Sequence, residues 1–338
     1  MEYRQLGHSG LHLSEISLGS WLTYGNATSD KTAFKCLDRA VELGINFLDT
    51  ADIYNRGGAE KVIGKWLKEN DRSHVIIGTK AFFPMSDHPL DRGLSARHLW
   101  NSVQNSLDRL KTDYIDLYQC HRYDPNTPLE ETLHTMNQLV EHGHIRYWGV
   151  SQWTAVQIVE AVHLCRTHNW RPPVSNQPIY NLINRSLEVD VMDVCQRYGL
   201  GLVVYSPLAQ GLLTGKYSVG NVPKDSRAGS EETAKWFAHK RMTEENFAKI
   251  EALGQLAAEL GITLPELALA WTLRVSPVTS AIMGASRPEQ VDQNAKAGGL
   301  RFSVEVWQRV EQIMGNAPVD AYTGQPNGYP AAYHPPQA

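Results

Sequence analysis

The fold of this chain is decided by a stretch that passes from a strand into a helix, 45-INFLDTADIYNRGGAEKVIG-64. Its apolar start is followed at once by Asp49, Asp52 and Tyr54, and two glycines then open a helical pattern. A strand that merely ends needs only a turn residue such as Gly or Asn. The three polar side chains are therefore either the rim of an ordinary turn or one corner of a catalytic site.

The same order of apolar strand and amphipathic helix recurs along the chain. Eight short apolar runs predict strands, at 15–19, 45–50, 75–80, 114–120, 147–151, 174–178, 202–207 and 279–286. Amphipathic segments between them predict helices, at 32–43, 99–110, 129–140, 156–165 and 189–195. Eight strand–helix units favour a parallel sheet with helices outside, and eight is the number that closes a (β/α)8 TIM barrel.

Both ends of the chain add to this repeat. Residues 3–14 predict a β-hairpin, which we expect to plug the N-terminal end of the barrel because it precedes the first strand. The long segment before the eighth strand predicts two extra helices, 244–260 and 264–274. We expect residues 1–317 to form one barrel domain and 318–338, which is rich in proline, to form an extended C-terminal tail.

Composition narrows the class of protein. The 338 residues carry a formal charge of −4 and are 42% apolar, which is typical of a soluble enzyme and offers no basic surface for nucleic acid. No apolar run reaches the roughly 18 residues of a membrane span, and the first ten residues have no apolar signal core. The four cysteines are scattered without a CxxC pair, so we expect a cytoplasmic protein with neither disulfides nor a metal site.

Polar residues collect where consecutive predicted strands end. Asp49 and Tyr54 follow the second strand, Lys80 ends the third and His121 follows the fourth. Each of them alone has an ordinary explanation as a helix cap, a solvated charge or a wall residue. In a parallel barrel, however, these strand ends share one face, where active sites are built.

Together the four residues predict acid–base chemistry. A buried lysine beside a tyrosine should lower the phenol pKa from about 10, and an aspartate beside the lysine should keep it charged. His121 could hydrogen-bond the same reacting oxygen as Tyr54. The set supplies a proton donor for a carbonyl oxygen but no nucleophile or metal cage, so a partner must supply the electrons.

The set Asp49, Tyr54, Lys80 and His121 resembles the catalytic tetrad of the aldo-keto reductases. The resemblance extends from Tyr3 to about Gly315 and includes 46-NFLDTADIY-54, 147-YWGVSQW-153, 204-VYSPLAQGLLTGKY-217 and 283-MGASRPEQVDQN-294. It is greatest to the branch that holds the β subunits of voltage-gated potassium channels and their bacterial relatives. The phrases that resemble this branch are 123-YDPNTPLEET-132, 145-IRYWGVSQW-153 and 264-LPELALAWTLR-274.

This resemblance implies that the protein reduces aldehydes or ketones to alcohols with NADP(H), without metal or flavin. Tyr54 would be the general acid, Lys80 with Asp49 would tune it, and His121 would orient the carbonyl. The alternative that the same resemblance implies is a cofactor-binding regulatory subunit of a channel or another protein. A complete tetrad favours the enzyme. Assembly as a homo-oligomer is an open option.

The resemblance also assigns cofactor positions. Ser151, Gln152 and Gln177 match the nicotinamide carboxamide partners. Tyr205 matches the ring that stacks on the nicotinamide, although it could instead be a wall aromatic. The expected cofactor-binding set is Ser20, Trp21, Asp49, Ser151, Gln152, Gln177, Tyr205, Ser206, Pro207, Leu208, Ala209, Gln210, Gly211, Lys216, Arg227, Gly284, Ser286, Gln290, Gln293 and Asn294.

One departure from the family pattern concerns the 2′-phosphate. Many aldo-keto reductases carry basic residues where this chain has Ala285 and Gln290. Lys216, Arg227 and Arg287 remain to supply charge, although the two arginines could also be solvated surface residues. NADP(H) is therefore the predicted cofactor, with NAD(H) as the alternative.

Large aromatic residues beside the strand ends predict a fairly apolar substrate pocket. The expected substrate-binding residues are Trp21, Tyr24, Tyr54, Phe82, Phe83, His121 and Trp153. A barrel hydrolase is a weaker interpretation, because Asp49 and Asp52 are too close in sequence to flank a scissile bond. Asp52 is expected to serve the turn.

Overall fold

A computed structural model describes residues 1–25, 28–224, 226–231, 233–234, 237 and 239–319. Its strands are β1 (Tyr3–Gln5), β2 (His12–Ser14), β3 (Ile16–Gly19), β4 (Phe47–Asp49), β5 (Ile76–Ala81), β6 (Ile115–Cys120), β7 (Ile145–Val150), β8 (Ser175–Asn176), β9 (Gly201–Tyr205) and β10 (Val278–Gly284). The last eight form a closed parallel barrel in the order β10-β3-β4-β5-β6-β7-β8-β9. The predicted TIM barrel is confirmed, and each of the eight predicted strands corresponds to one of the observed strands.

Helices surround this barrel. They are α1 (Asp30–Glu42), α2 (Gly58–Leu67), α3 (Ala96–Leu110), α4 (Leu129–Glu141), α5 (Ala155–Thr167), α6 (Val191–Tyr198), α7 (Glu244–Glu259), α8 (Leu264–Thr272), α9 (Pro288–Ala295) and α10 (Val304–Met314). Their starts follow local chemistry. Thr263 and Glu266 form a reciprocal capping box at α8. Gly57 begins α2 with φ at +83°, a backbone conformation that favours glycine.

Strand β8 is shorter than predicted. It pairs only through Ser175 and Asn176, whereas the apolar pattern extends from 174 to 178. Pro178 has no backbone N–H, so it cannot continue a ladder. Its carbonyl still accepts from Tyr205 N at 3.0 Å, and Gln177 N donates to Val150 O at 2.8 Å, so the chain stays attached to both neighbouring strands.

The N-terminal hairpin closes one end of the barrel, as predicted. Strands β1 and β2 pair antiparallel, with Tyr3 opposite Ser14. Leu6 and Leu13 are fully buried in a cluster with residues of the barrel interior, Phe47, Leu117, Val203 and Ile282. The opposite end, where the parallel strands finish, is formed by the loops in which barrels of this kind build their active sites.

The segment between β9 and β10 contains the two extra helices, α7 and α8, as predicted. The predicted C-terminal tail, 318–338, lies outside the described residues from position 320 onward. Within the described part of the chain, none of the helices is both long and apolar enough to cross a membrane.

Candidate active site

The C-terminal ends of β4, β5 and β6 bring the predicted tetrad together. Lys80 Nζ lies 2.8 Å from Asp49 Oδ2, 2.6 Å from the carbonyl oxygen of Thr50 and 3.4 Å from Tyr54 Oη. The rings of Tyr54 and His121 meet edge to face, with centroids 5.8 Å apart. Four side chains separated by up to 72 positions therefore share one site.

The lysine of this site is completely buried, which is costly unless its charge is paired. Asp49 provides that pairing and is itself held on its other oxygen, because Gln177 Nε2 donates to Asp49 Oδ1 at 2.8 Å. Burial lowers the pKa of Lys80, while Asp49 acts in the opposite direction and favours the charged form. The pair is thus fixed in position from β4, β5 and the end of β8.

The phenol of Tyr54 differs from the sequence-based expectation. Burial, followed by the Asp49 carboxylate, raises the pKa of Tyr54 well above its ordinary value. The expectation that Lys80 would lower this pKa is therefore wrong for the structure as it stands. The physical reason is that the ammonium is closer to Asp49 and Thr50 than to the phenol, and the phenol itself is desolvated. Tyr54 is held as a protonated donor.

His121 is held in its neutral form. Burial, then Lys80 and Arg122, lower its pKa well below the ordinary value. Its Nδ1 is buried and has no hydrogen-bond partner among the described residues. The rings of Phe83 and His121 pack edge to face, with their centroids 4.8 Å apart. A neutral imidazole and a protonated phenol side by side can both hydrogen-bond one carbonyl oxygen.

The predicted nicotinamide partners lie next to this centre. Ser151 Oγ donates to Gln177 O at 2.8 Å, and Gln152 Nε2 donates to Tyr205 Oη. These contacts join the ends of β7, β8 and β9. The half-buried Tyr205 thus stands at the strand end, beside the group that the sequence predicts to bind the carboxamide.

The loop after β9 has an unusual backbone. Left-handed φ angles occur at +53° for Ser206, +48° for Ala209, +61° for Gln210 and +103° for Gly211. Asn181 Nδ2 donates to Ser206 O at 2.9 Å and so supports the first of these turns. Backbone N–H groups in such turns form concave sites for anions. Pro207 and Leu208 lie within this loop, where the pyrophosphate is expected.

Basic and polar groups continue from this loop to the last strand. Arg227 is half-buried, with its guanidinium carbon 5.6 Å from the ring centre of Trp21, and burial lowers its pKa. Lys216 is exposed beside the loop. Gln290 Oε1 accepts from Ser286 N at 2.8 Å, just after β10.

Two positions of the predicted adenosine end differ in exposure. Gln293 is exposed on α9, whereas Asn294 is buried and contacts Met283 Sδ at 3.6 Å. Gly284 is exposed at the end of β10. Near β3, Ser20 Oγ is buried without a hydrogen-bond partner among the described residues. Cations, left-handed turns and an orphaned hydroxyl along one rim fit a dinucleotide with two phosphates.

The predicted substrate wall divides into two groups. Trp21, Phe82 and Phe83 are half-buried around the tetrad. Tyr24 and Trp153 are only 2% exposed and pack in the main core, so they offer little surface to a substrate in this structure. Direct contact between these last two and a substrate stays a prediction.

The burial of Asp52 could not be predicted from the sequence. Its side chain is fully buried and accepts from Ser102 Oγ at 3.0 Å as well as from the backbone of Ile53, so it joins α3 to the turn that it was expected to serve. Burial, followed by the nearby Glu60 carboxylate, raises the pKa of Asp52 to about 7. Its backbone N–H donates to Lys80 O at 3.1 Å, which places it behind the tetrad.

Two further residues of the site were missed. Asn181 supports the loop after β9, and Arg122 follows His121 directly. The polar character of both was visible at strand ends, but only the fold shows that their side chains turn toward the site. For Arg122, the adjacent position in sequence was a signal that could have been used.

Comparison with known proteins places this arrangement in a family. The model of the Aldo/keto reductase family matches residues 15–314. A probable voltage-gated potassium channel subunit beta of Oryza sativa subsp. japonica is 39% identical over 323 residues, which are 94% of this chain and 98% of that protein. A putative voltage-gated potassium channel subunit beta of Schizosaccharomyces pombe is 40% identical over 328 residues, 94% of each chain. A probable subunit of the same description from Arabidopsis thaliana is 38% identical over 323 residues, 94% of this chain and 98% of that protein.

Proposed function

This chain belongs to the aldo/keto reductase family, and from that premise we propose that it reduces aldehydes and ketones to alcohols with NADP(H), using Tyr54 as the general acid. Membership supports oxidoreduction with a nicotinamide cofactor in general. The observation that carries the specific proposal is the buried Lys80–Asp49 pair, with Lys80 Nζ 3.4 Å from Tyr54 Oη, beside His121, whose Nδ1 has no partner among the described residues.

In the proposed reaction, NADPH held by the expected cofactor residues would supply the hydride for the carbonyl carbon, being oxidised to NADP⁺. Tyr54 gives its proton to the carbonyl oxygen, so the carbonyl becomes an alcohol. Because its pKa is raised, Tyr54 is protonated at neutral pH and ready to donate. The Lys80 ammonium stabilises the phenolate that forms, and a proton from solvent restores the phenol.

His121 and Asp49 act by position in this proposal. The neutral imidazole donates a hydrogen bond to the same carbonyl oxygen and turns the carbonyl carbon toward the nicotinamide side of the pocket. Asp49 keeps Lys80 charged and in place at 2.8 Å. Gln177 would hold Asp49 and help to bind the carboxamide, with Ser151 and Gln152.

The decisive experiment follows NADPH oxidation against a panel of aldehydes. We expect turnover by the wild type and a kcat about 10²- to 10⁴-fold lower for Tyr54→Phe, which is the usual contribution of one acid–base group. NADPH binding, measured by fluorescence, should change little in this variant. Tyr198→Phe, at a helix end away from the tetrad, is the matched control and should keep full activity.

A wild-type protein that binds NADPH and turns over no aldehyde would contradict the reductase proposal. It would favour the second candidate, a cofactor-binding regulatory subunit, which the printed names of the relatives support. We propose a cytoplasmic location for either function, and a homo-oligomer is compatible with both. The complete tetrad favours the enzyme.

The proposed preference for NADP(H) rests on charge near the expected 2′-phosphate. Arg227, Lys216 and Arg287 supply it, although Ala285 and Gln290 contribute no charge. Fluorescence titration with NADPH and NADH tests this directly. Equal affinity for both cofactors would show that these residues do not bind the 2′-phosphate of NADPH.

A further inference from the structure

Arg122 lies between His121, Ser151 and Phe83, beside the tetrad, and has no role in the proposed chemistry. Its Nη1 donates to the carbonyl oxygen of His121 and lies 3.4 Å from Ser151 Oγ. Its guanidinium carbon is 5.3 Å from the ring centre of Phe83, the residue that also packs against His121. A permanent positive charge therefore lies beside His121, the residue expected to orient the carbonyl.

This charge lacks a carboxylate partner. Buried arginines elsewhere in the protein are paired, such as Arg4 with Glu15 and Arg109 with Glu60. Among the described arginines that are at least partly buried, only three have no ion pair, namely Arg122, Arg227 and Arg241. A partly desolvated cation without a counter-ion is unfavourable unless a ligand provides one. Arg227 is already assigned to the cofactor phosphates, and Arg241 lies at the outer segment before α7.

The remaining hydrogen-bonding capacity of Arg122 suits a carboxylate. Both of its contacts use Nη1, so Nε and Nη2 have no hydrogen bond to a described residue. Arginine binds carboxylates through two parallel N–H groups, and a ring against one face of the guanidinium fixes its plane. Phe83 supplies that ring. The carboxylate that is nearest in sequence, Asp124, is instead occupied by Leu94 N, Asn126 N and Thr127 Oγ1.

We propose that Arg122 binds a carboxylate on the substrate, so that the substrates of this enzyme are carbonyl compounds that carry an anionic group within reach of the carbonyl. This inference rests on the proposed reductase function and narrows its substrate class. It also adds one charged group to the fairly apolar pocket that the sequence predicts. Trp21 and Phe82 would cover the carbon skeleton, and the charge would be recognised at one end.

The test compares the three carboxybenzaldehyde isomers, each with its own methyl ester. The isomers vary the distance from carboxylate to carbonyl, and the ester removes the charge while keeping the ring. We expect the wild type to show a kcat/KM at least about tenfold higher for one or more acids than for the matching ester. In Arg122→Met the acid-to-ester ratio should fall at least about tenfold, to about one, and Arg122→Lys should recover part of it.

Arg97→Met is the matched control, since Arg97 is an exposed arginine without an ion pair in the described structure. Arg97→Met should leave the ratio of kcat/KM for the acid to kcat/KM for its ester unchanged. If the wild type reduces the esters as well as the acids, or if Arg122→Met lowers both equally, the carboxylate site is refuted while the reductase proposal stands. Turnover of any ester is sufficient to support the reductase proposal by itself.

A binding measurement keeps the inference testable if no aldehyde is reduced at all. Melting temperatures are measured with saturating NADP⁺ and added benzoate, with benzamide as the neutral probe. Benzoate should raise the melting temperature of the wild type more than benzamide does, and this difference should disappear in Arg122→Met. Equal shifts for both probes in the wild type would overturn the carboxylate site.

Discussion

The two ends of this barrel both bury an ion pair, Arg4–Glu15 at one end and Lys80–Asp49 at the other, but they differ in the neutral polar groups beside it. At the N-terminal end, Arg4 donates to Glu15 at 2.6 Å and to the carbonyl oxygens of Val278 at 2.7 Å and Leu273 at 2.8 Å. Glu15 also accepts from Gly299 N and from Arg301. At the C-terminal end, His121 Nδ1 is unpartnered among the described residues, and Tyr54 Oη is 3.4 Å from the nearest cation.

The difference separates stability from chemistry. Although burial raises the pKa of Glu15, Arg4 and then Arg301 and Gly299 lower it overall, so that the carboxylate is stabilised in its charged form. At the other end, the pKa values of Tyr54 and His121 are moved so that a proton donor and a neutral imidazole face an open rim. The N-terminal cluster is fully hydrogen-bonded, whereas at the C-terminal end the Lys80–Asp49 pair is satisfied and His121 Nδ1, beside it, has no partner among the described residues and is left for the proposed substrate.

Arg4→Met should have the largest effect on stability. The substitution leaves Glu15 with Arg301 as its one arginine partner and removes the donor to the buried carbonyl oxygens of Val278 and Leu273. We therefore expect the free energy of unfolding to fall by about 3 to 5 kcal/mol. Well below the melting temperature, kcat should stay within about twofold of the wild type. Chemical denaturation and steady-state kinetics on the same preparation measure both quantities.

Lys65→Met is the control for this prediction, because its partner Asp30 is exposed and their ion pair lies on the surface. Removing such a pair should cost less than about 1 kcal/mol. A loss of activity in Arg4→Met that matches the loss in Tyr54→Phe would contradict the separation of the two ends.

Asp52 gives a pH-dependent test at the C-terminal end. Its pKa is about 7 in the folded protein against an ordinary value of 3.8, so the folded state binds the proton more tightly. Stability is therefore lost as pH rises from about 4 to about 7 and is constant above that, at a slope of up to about 1.4 kcal/mol per pH unit.

Asp52→Asn removes this titration and keeps an acceptor for Ser102. As pH rises from 4 to 7.5, we expect the free energy of unfolding of the variant to increase by about 2 to 4 kcal/mol relative to that of the wild type. Urea unfolding at four pH values measures the difference. A difference that does not vary with pH would mean that Asp52 is ionised in the folded protein throughout this range.

Asn181→Ala should give the smallest effect, on the loop after β9. Asn181 Oδ1 accepts from Ile183 N at 3.0 Å and Asn184 N at 2.8 Å, while its amide holds Ser206 O. Losing these bonds should cost about 1 to 2 kcal/mol of stability and weaken NADPH binding about three- to tenfold. The kcat at saturating NADPH should change little. A reduced kcat with unchanged NADPH affinity would place Asn181 in the chemistry instead.

Much of the fold followed from the sequence because its signals are local. Apolar runs such as 75-VIIGTK-80 have the length and residue types of a buried strand. Thr263 followed by Glu266 is a capping-box pattern, which predicts the start of a helix. Barrel closure then brings the strand ends to one face. For this reason the proximity of Asp49, Lys80 and His121 could be predicted without coordinates.

The remainder depends on contacts between distant residues. The burial of Asp52 comes from packing of α2 and α3 over the strand end, which a turn pattern does not show. The pKa of Tyr54 is raised chiefly because the folded chain buries the phenol and places the Asp49 carboxylate near it, and neither effect is visible in the sequence. That Arg122 has no ion pair with a described residue depends on every side chain around it, and a sequence cannot show this.

The seam of the barrel has a consequence for how the protein is made. Strand β3 pairs with β10, and Arg4 bonds to Val278, which is 274 positions later in the chain. During synthesis, one edge of β3 therefore stays unpaired until β10 has also left the ribosome. Strands β9 and β10, on which the proposed cofactor groove is built, are the last to join. Binding of a dinucleotide across them would favour the finished, closed chain over every shorter intermediate.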